Sequence, residues 1–163
     1  MTVALRPIRA EDDAAVAAII REVMREHDAD GPGFAIVDPE VDHMSAAYDP
    51  SRTPPGAYFV LEEHGRVVGG AGIGPLTGGD GATCELRKMY VLASHRGGGH
   101  GRALLHRCLD EARRLGYRRC YLETLGTMAR ARALYEAAGF SRLEAAEGRT
   151  GHFGCNTFYA LNL

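Results

Sequence analysis

The stretch His95–Tyr117, HRGGGHGRALLHRCLDEARRLGY, sets four glycines within five residues directly against the start of a helical segment. Glu85–Leu92 (ELRKMYVL) reads as a strand that runs straight into it. The order is therefore strand, glycine loop, helix. The first N–H groups of a helix have no acceptor inside it, and the helix dipole adds about half a positive charge there. Glycines allow close backbone approach because no Cβ intervenes. The segment thus has the makings of an anion site, to which Arg96 would add a charged contact.

Spacing decides which anion loop it is. A P-loop needs G-x-x-x-x-G-K-[ST], but Arg102-Ala103 follows Gly101. A dinucleotide fingerprint needs G-x-G-x-x-G/A. Counted from Gly97 its third position is Arg102, and counted from Gly99 it is Leu104, so both registers fail. A bare strand-to-helix turn needs fewer glycines than stand here. What remains is R-x-x-G-x-G: Arg96, Gly99 and Gly101, with Ala103-Leu104-Leu105 opening the helix.

Outward from the loop, the 163-residue chain divides into short regular elements. Thr2–Arg9 reads as a strand, Ala14–Glu26 as a helix and Val41–Tyr48 as a second, short helix. Ala57–Glu62 and Arg66–Ile73 form a hairpin around Glu63-His64-Gly65. Glu85–Leu92 is the next strand, Gly101–Leu115 a helix and Arg119–Thr124 a strand. Thr127–Ala138 is a helix closed by Gly139, and Phe140–Leu143 and Cys155–Leu161 are final strands. The β-α-α-β-β-β-α-β-α-β-β order predicts an α/β fold over a single domain, residues 1–163. It is a mixed sheet with helices on both faces, parallel across the crossover from Glu85 to Thr124 and antiparallel at its ends.

A net charge of −2 gives no basic field for nucleic acid or an anionic membrane. No apolar run approaches the roughly 18 residues of a membrane span, and Met1–Arg9 is too short and polar for a signal peptide. Cys84, Cys108, Cys120 and Cys155 lack metal or CxxC spacing and read as reduced thiols. The expectation is a cytoplasmic protein without a metal. The apolar end FYALNL either pairs across a homodimer or closes the chain's own sheet.

The loop resembles the acetyl-CoA pyrophosphate loop of the GNAT superfamily of N-acetyltransferases. So do its surroundings. ELRKMYVLASHRG is similar to that family's fourth strand, which ends in an aromatic-Val pair. LETLGTMARARALYEAAGF (Leu122–Phe140) is similar to its fifth strand and fourth helix, including the Leu-Tyr-x-x-x-Gly-Phe ending. LRPIRAEDDAAVAAII is similar to its opening strand and helix. Three motifs in order and spacing carry more weight than one loop.

The resemblance implies acetyl-CoA in a cleft between the fourth and fifth strands. Its pyrophosphate would lie on the backbone of Arg96, Gly97, Gly98, Gly99, His100, Gly101 and Arg102. Its pantetheine arm would lie along Met89, Tyr90 and Val91 like an added strand, with an amide there polarising the thioester carbonyl. Met128 and Ala131 would line the same cleft. Many family members carry Asn at the position of Met128, and Met cannot make that hydrogen bond. Tyr135, on the helical face of Met128 and Ala131, would protonate the departing thiolate; a phenol is protonated at neutral pH. Glu85, assigned by alternation to the strand face of Arg87, Met89 and Val91, would take the amine's proton, or else simply pair with Arg87 or Lys88.

The activity implied is acetyl transfer from acetyl-CoA to a primary amine, of a small molecule or amino acid or else of a protein, by direct attack in a ternary complex. The other reading is a non-catalytic acyl-CoA sensor, favoured only by Met128. Asp28–Pro55 and the loop near His152 would border the acceptor, with His152 a candidate contact. The acids Asp28, Asp30, Asp38, Glu40 and Asp42 read as a solvated acidic loop, the alternative being a patch that favours a cationic acceptor. Arg130 or Arg132 would reach the 3′-phosphate of CoA or remain solvated.

Overall fold

The computed structural model describes residues 2–163. Seven strands form one sheet in the order β1-β2-β3-β4-β5-β7-β6. They are β1 (Ala4–Pro7), β2 (Ala57–Glu63), β3 (Arg66–Pro75), β4 (Thr83–Val91), β5 (Arg119–Thr124), β6 (Ser141–Leu143) and β7 (Thr157–Asn162). The helices are α1 (Asp13–Glu26), α2 (Met44–Ala47), α3 (His100–Arg114) and α4 (Ala129–Ala137). All neighbouring strands are antiparallel except β4 and β5, which α3 connects in parallel. The element order is the expected one. The second helix is shorter: Pro39–Asp42 is a 3-10 turn, and only Met44–Ala47 is α-helical.

The sheet is buried on both faces. Phe59, Leu61, Ile73, Cys84 and Leu86 meet Leu104, Leu105, Cys108 and Leu109 of α3. Tyr58, Val60 and Tyr90 meet Val16, Ile20 and Met24 of α1 and Met44 of α2. That explains why β2 reads as a continuous apolar run and not as an alternating one. β7 lies between β5 and β6, so FYALNL closes the chain's own sheet, with β6 covering Phe158, Tyr159 and Ala160. The four cysteines are free, and three of them are core residues. Among the described residues, no helix is long and apolar enough to cross a membrane.

Two irregularities in β4 create the site. The parallel ladder with β5 holds only Thr83, Cys84 and Glu85 opposite Arg119, Cys120 and Tyr121. Beyond Glu85 the strands part, and that edge of β4 has no strand partner. The second irregularity is a bulge. Gly70 pairs with Tyr90 and Gly72 with Arg87, so Lys88 and Met89 together oppose one residue of β3. Lys88 takes the left-handed conformation, φ 50°. Tyr58 pins the bulge by donating its hydroxyl to the Lys88 carbonyl at 2.8 Å. Its ring lies over Gly70 and Gly72, where an added Cβ would stand 2.6 and 2.5 Å from ring carbons. The glycine-rich RVVGGAGI of β3 is therefore a slot for this ring.

The bulge corrects the expected alternation. Cys84 and Leu86 before it, and Met89 and Val91 after it, pack with the α3 side, whereas Tyr90 packs with the α1 side. Glu85 consequently does not share a face with Met89 and Val91. One extra residue reverses the parity of everything downstream.

Candidate active site

The glycine loop closes one end of a cleft of about 600 Å³. Gly97 and Gly99 adopt φ of 85° and 82°, which a side-chain-bearing residue rarely takes. Gly99 is the N-cap of α3. The N–H groups of Gly99, His100, Gly101 and Arg102 have no acceptor among the described residues. Together they form a positive concavity facing the cleft. Arg96, Gly97, Gly99, His100, Gly101 and Arg102 line it from the loop, and Met89, Tyr90 and Val91 from β4. Met128 and Ala131 line it from the α4 side. Gly98 is part of the loop but does not line the cleft.

Arg96 lines the cleft and also braces its own loop. Its own N–H donates to Ala93 O at 3.3 Å. Its guanidinium donates through Nε to Val91 O at 2.8 Å and through Nη1 to Glu26 at 2.7 Å. It braces the loop against the end of β4 and α1, and its buried Nη2 has no hydrogen-bond partner among the described residues. Met128 Sδ accepts a weak hydrogen bond from Thr124 Oγ1 at 3.5 Å. Arg130 lines the cleft, whereas Arg132 turns to Gly126 O and the Tyr159 hydroxyl.

Beside the cleft, between the parted ends of β4 and β5, lies a small cavity of about 70 Å³. Met89, Tyr90, Met128 and Ala131 line both spaces, and Tyr135 and Glu85 line the inner one. The Tyr135 ring packs at a tilt on Phe140 and Tyr159, with centroids 5.9 and 6.1 Å away. Its hydroxyl makes no hydrogen bond within the protein and is not sealed from the cavity. Burial pushes the phenol well above its ordinary pKa, so it stays protonated.

Glu85 is 3% exposed. Burial raises its pKa, and Arg87, whose Nε donates to Oε1 at 2.7 Å, offsets part of that rise. Around it stands a charge cluster that sequence reading missed. Glu123 of β5 accepts from Tyr121 at 2.9 Å and from Thr150. Lys88 donates to Asp38 at 2.7 Å and Glu40 at 2.5 Å, so those acids are not a solvated loop. Burial would lower the Lys88 ammonium, but the two carboxylates outweigh it and raise it. His152 Nε2 donates to Asp38 at 2.9 Å, and this hydrogen bond raises the imidazole's pKa against burial. Burial alone would raise Asp38; His152 and Lys88 hold it low.

Donor atoms of Glu85, Glu123 and His152 lie within 4.8 Å of one another. Each has another partner, and they come from three distant segments, so no ligand spacing announces them. Cys155 lies just before β7, not in it, and lines this cavity. The turn that places it there has Cys155 N donating to His152 O. Two loops roof the cavity and interlock: Gly154 N donates to Gly33 O at 3.0 Å, Phe153 lies over Gly33 and Phe34 over Gly154.

A family model described as the Acetyltransferase (GNAT) family matches residues 18–140. Over 152 residues the chain is 41% identical to a protein of Escherichia coli strain K12 named Uncharacterized N-acetyltransferase YjgM; this spans 93% of the chain and 89% of that protein. The structure of yncA from Salmonella typhimurium with its cofactor acetyl-CoA superimposes with a TM-score of 0.75 at 28% identity, covering 99% of this chain and 94% of that one. A GNAT-family acetyltransferase of Staphylococcus aureus Mu50 superimposes with a TM-score of 0.81 at 18% identity and 99% coverage of both chains.

Proposed function

The chain belongs to the GNAT acetyltransferase family, an N-acetyltransferase with acetyl-CoA as its acyl donor, and we propose that it acetylates a small primary amine by direct attack in a ternary complex. One observation carries this reading. Met89, Tyr90, Met128 and Ala131 form the shared wall between the cleft that holds the unpaired N–H groups of Gly99–Arg102 and the cavity lined by Tyr135 and Glu85.

In this reading the loop amides hold the pyrophosphate, and the unpaired edge of β4 at Met89, Tyr90 and Val91 holds the pantetheine arm. Tyr135 donates its proton to the departing thiolate. Glu85, whose pKa burial raises, receives a proton from the acceptor ammonium. No acyl-enzyme is needed. Cys84 is sealed in the core and does not line the cavity, and the Cys155 thiol, pushed up to about 12 by burial, is no thiolate at neutral pH.

The carboxylates of Glu85 and Glu123 suit a cationic head group. The small roofed cavity favours a small amine over a protein chain. The presence of Tyr135 and Glu85 in one cavity weighs against a non-catalytic acyl-CoA sensor. The test is release of free CoA thiol from acetyl-CoA against amino acids, polyamines, amino sugars and short peptides. Acceptor-dependent release is expected. Tight acetyl-CoA binding without release in any member would overturn the transferase reading in favour of the sensor.

A further inference from the structure

Glu85 is 3% exposed, and its Oε1 is committed to Arg87. A carboxylate that takes a proton in such a place must lose it again in every turnover, and almost none of its surface meets water. The groups that face it are few. Arg87 and Lys88 are cations already committed to other partners. Glu123 accepts from Tyr121 on one oxygen and Thr150 on the other. Cys155 is a neutral thiol. His152 is different. Asp38 takes its Nε2–H with both carboxylate oxygens, at 2.9 and 3.0 Å. That fixes the tautomer and leaves Nδ1 as an acceptor, 4.0 Å from Glu123 and turned to the cavity.

Resting on the reading of Glu85 as the proton acceptor, we propose that the His152–Asp38 pair is the proton exit of the active site. A ring nitrogen of His152 lies within 4.8 Å of a Glu85 carboxylate oxygen, the span of one bridging water, and Nδ1 is the ring nitrogen that Asp38 leaves free. The cavity has room for such a water. The acceptor ammonium loses one proton to the Glu85 carboxylate, and the neutral amine attacks the thioester carbon. Glu85 passes its proton through the water to Nδ1 of His152, giving a carboxylate and an imidazolium. The imidazolium, 15% exposed at the rim, releases the proton to bulk water. The amine's second proton balances the one that Tyr135 gives to the thiolate.

The charges around His152 suit this role. Asp38 from the early loop, Glu85 from β4 and Glu123 from β5 favour the imidazolium, and Lys88 from β4 opposes it. The Asp38 bond dominates and raises the pKa of His152. His152 acts through Glu85 and is a positioning and relay residue, not one that touches the reacting atoms.

The experiment uses the full chain, acetyl-CoA and the panel amine with the highest turnover. His152→Ala is expected to lower kcat about 100-fold, with acetyl-CoA affinity unchanged. Added imidazole restores kcat in proportion to its neutral form. His152→Gln, which keeps a donor to Asp38 but carries no titrating nitrogen, stays slow. In Asp38→Asn the acid limb of kcat/KM moves to lower pH by about one unit, because the carboxylate that favours the imidazolium is gone. Wild-type kcat in His152→Ala would overturn the relay and leave the transferase reading intact. So would a slow His152→Ala that His152→Gln restores, or one that imidazole does not rescue while the Asp38→Asn limb stays in place. Wild-type protein that binds acetyl-CoA but acetylates no amine would overturn the transferase reading and the relay with it.

Discussion

Gly101→Val separates the loop's binding role from its folding role. Gly101 is the second residue of α3, and a Cβ built there meets only Leu134 Cδ2, at 3.5 Å, an ordinary contact. Valine is a slightly better helix former than glycine, so the apo protein should melt within about 2 °C of wild type, equivalent to roughly 0.5 kcal/mol. Its methyls project beside four N–H groups that have no acceptor among the described residues. Keeping a phosphate from one or two of them removes about 2–4 kcal/mol, since a hydrogen bond to a charged group contributes roughly 1.5–3 kcal/mol. That weakens acetyl-CoA binding about 30- to 1,000-fold. At 100 times the wild-type Kd, ligand stabilises the wild type by about 2.7 kcal/mol, or roughly 5–11 °C for a domain of this size. A variant weakened about 100-fold gains only about 0.4 kcal/mol at that concentration, roughly 1–2 °C. Calorimetric titration gives the Kd, and thermal melts with and without acetyl-CoA give the control. An unchanged apo melt together with a Kd within threefold of wild type would refute the assignment of the loop.

Tyr135→Phe removes a hydroxyl that has no partner in the protein and keeps the ring contacts with Phe140 and Tyr159. Its melt and acetyl-CoA affinity should therefore match wild type while kcat falls about 100-fold; turnover within twofold of wild type would remove Tyr135 from the acid role. Lys88→Met should lower stability by about 3 kcal/mol by leaving the Asp38 and Glu40 carboxylates without their cation, read as a drop of about 6–12 °C in Tm. A loss under 1 kcal/mol would mean that this ion cluster does not hold the bulge. Asp12, bonded to Arg6 at 2.7 and 2.9 Å and to Arg9 N at 2.7 Å, has its pKa lowered, first by the Arg6 hydrogen bond. Its stabilisation is complete above the unfolded value of about 3.9 and is lost as pH falls through the depressed folded value. Asp12→Asn should thus be about 2–3 kcal/mol less stable than wild type at pH 7, and denaturant titrations at lower pH should show the gap closing; a constant gap would refute the linkage.

The fold was legible because its signals are local. The order of strands and helices follows from periodicity and from glycine and proline punctuation, and the glycine loop follows from a spacing that excludes other anion loops. The bulge was also written in the chain, though less plainly. In CELRKMYV the inward residues are Cys84, Leu86, Met89 and Val91, and the step of three between Leu86 and Met89 breaks a period of two. Strict alternation overrode that step and put Glu85 on the wrong face. The charge cluster had no such trace. Asp38, Lys88, Glu123 and His152 are brought together by tertiary structure from four segments, and an acid in a loop reads as solvated until its partner is located. Glu123 carries the nearest thing to a signal: it sits one step of two beyond Tyr121, the register partner of Glu85, and so must face the same side of the sheet.

These two kinds of residue meet at Lys88. A non-glycine residue at φ 50° costs about 1–2 kcal/mol, and it holds here because three other interactions depend on it. Its carbonyl takes the Tyr58 hydroxyl, its ammonium takes Asp38 and Glu40, and its displacement ends the register that would otherwise continue along β4. Without the bulge Tyr90 would point to the α3 side and Met89 to the α1 side, placing a phenol where the cleft has a thioether. Asp38 is also the residue that orients His152. The backbone irregularity that shapes the cleft is thus tied through Lys88 and Asp38 to the imidazole at the cavity's rim. Lys88→Gly separates the two functions: it relieves the backbone strain and preserves the bulge, but it releases Asp38 from its cation and leaves His152 as that carboxylate's remaining hydrogen-bond partner.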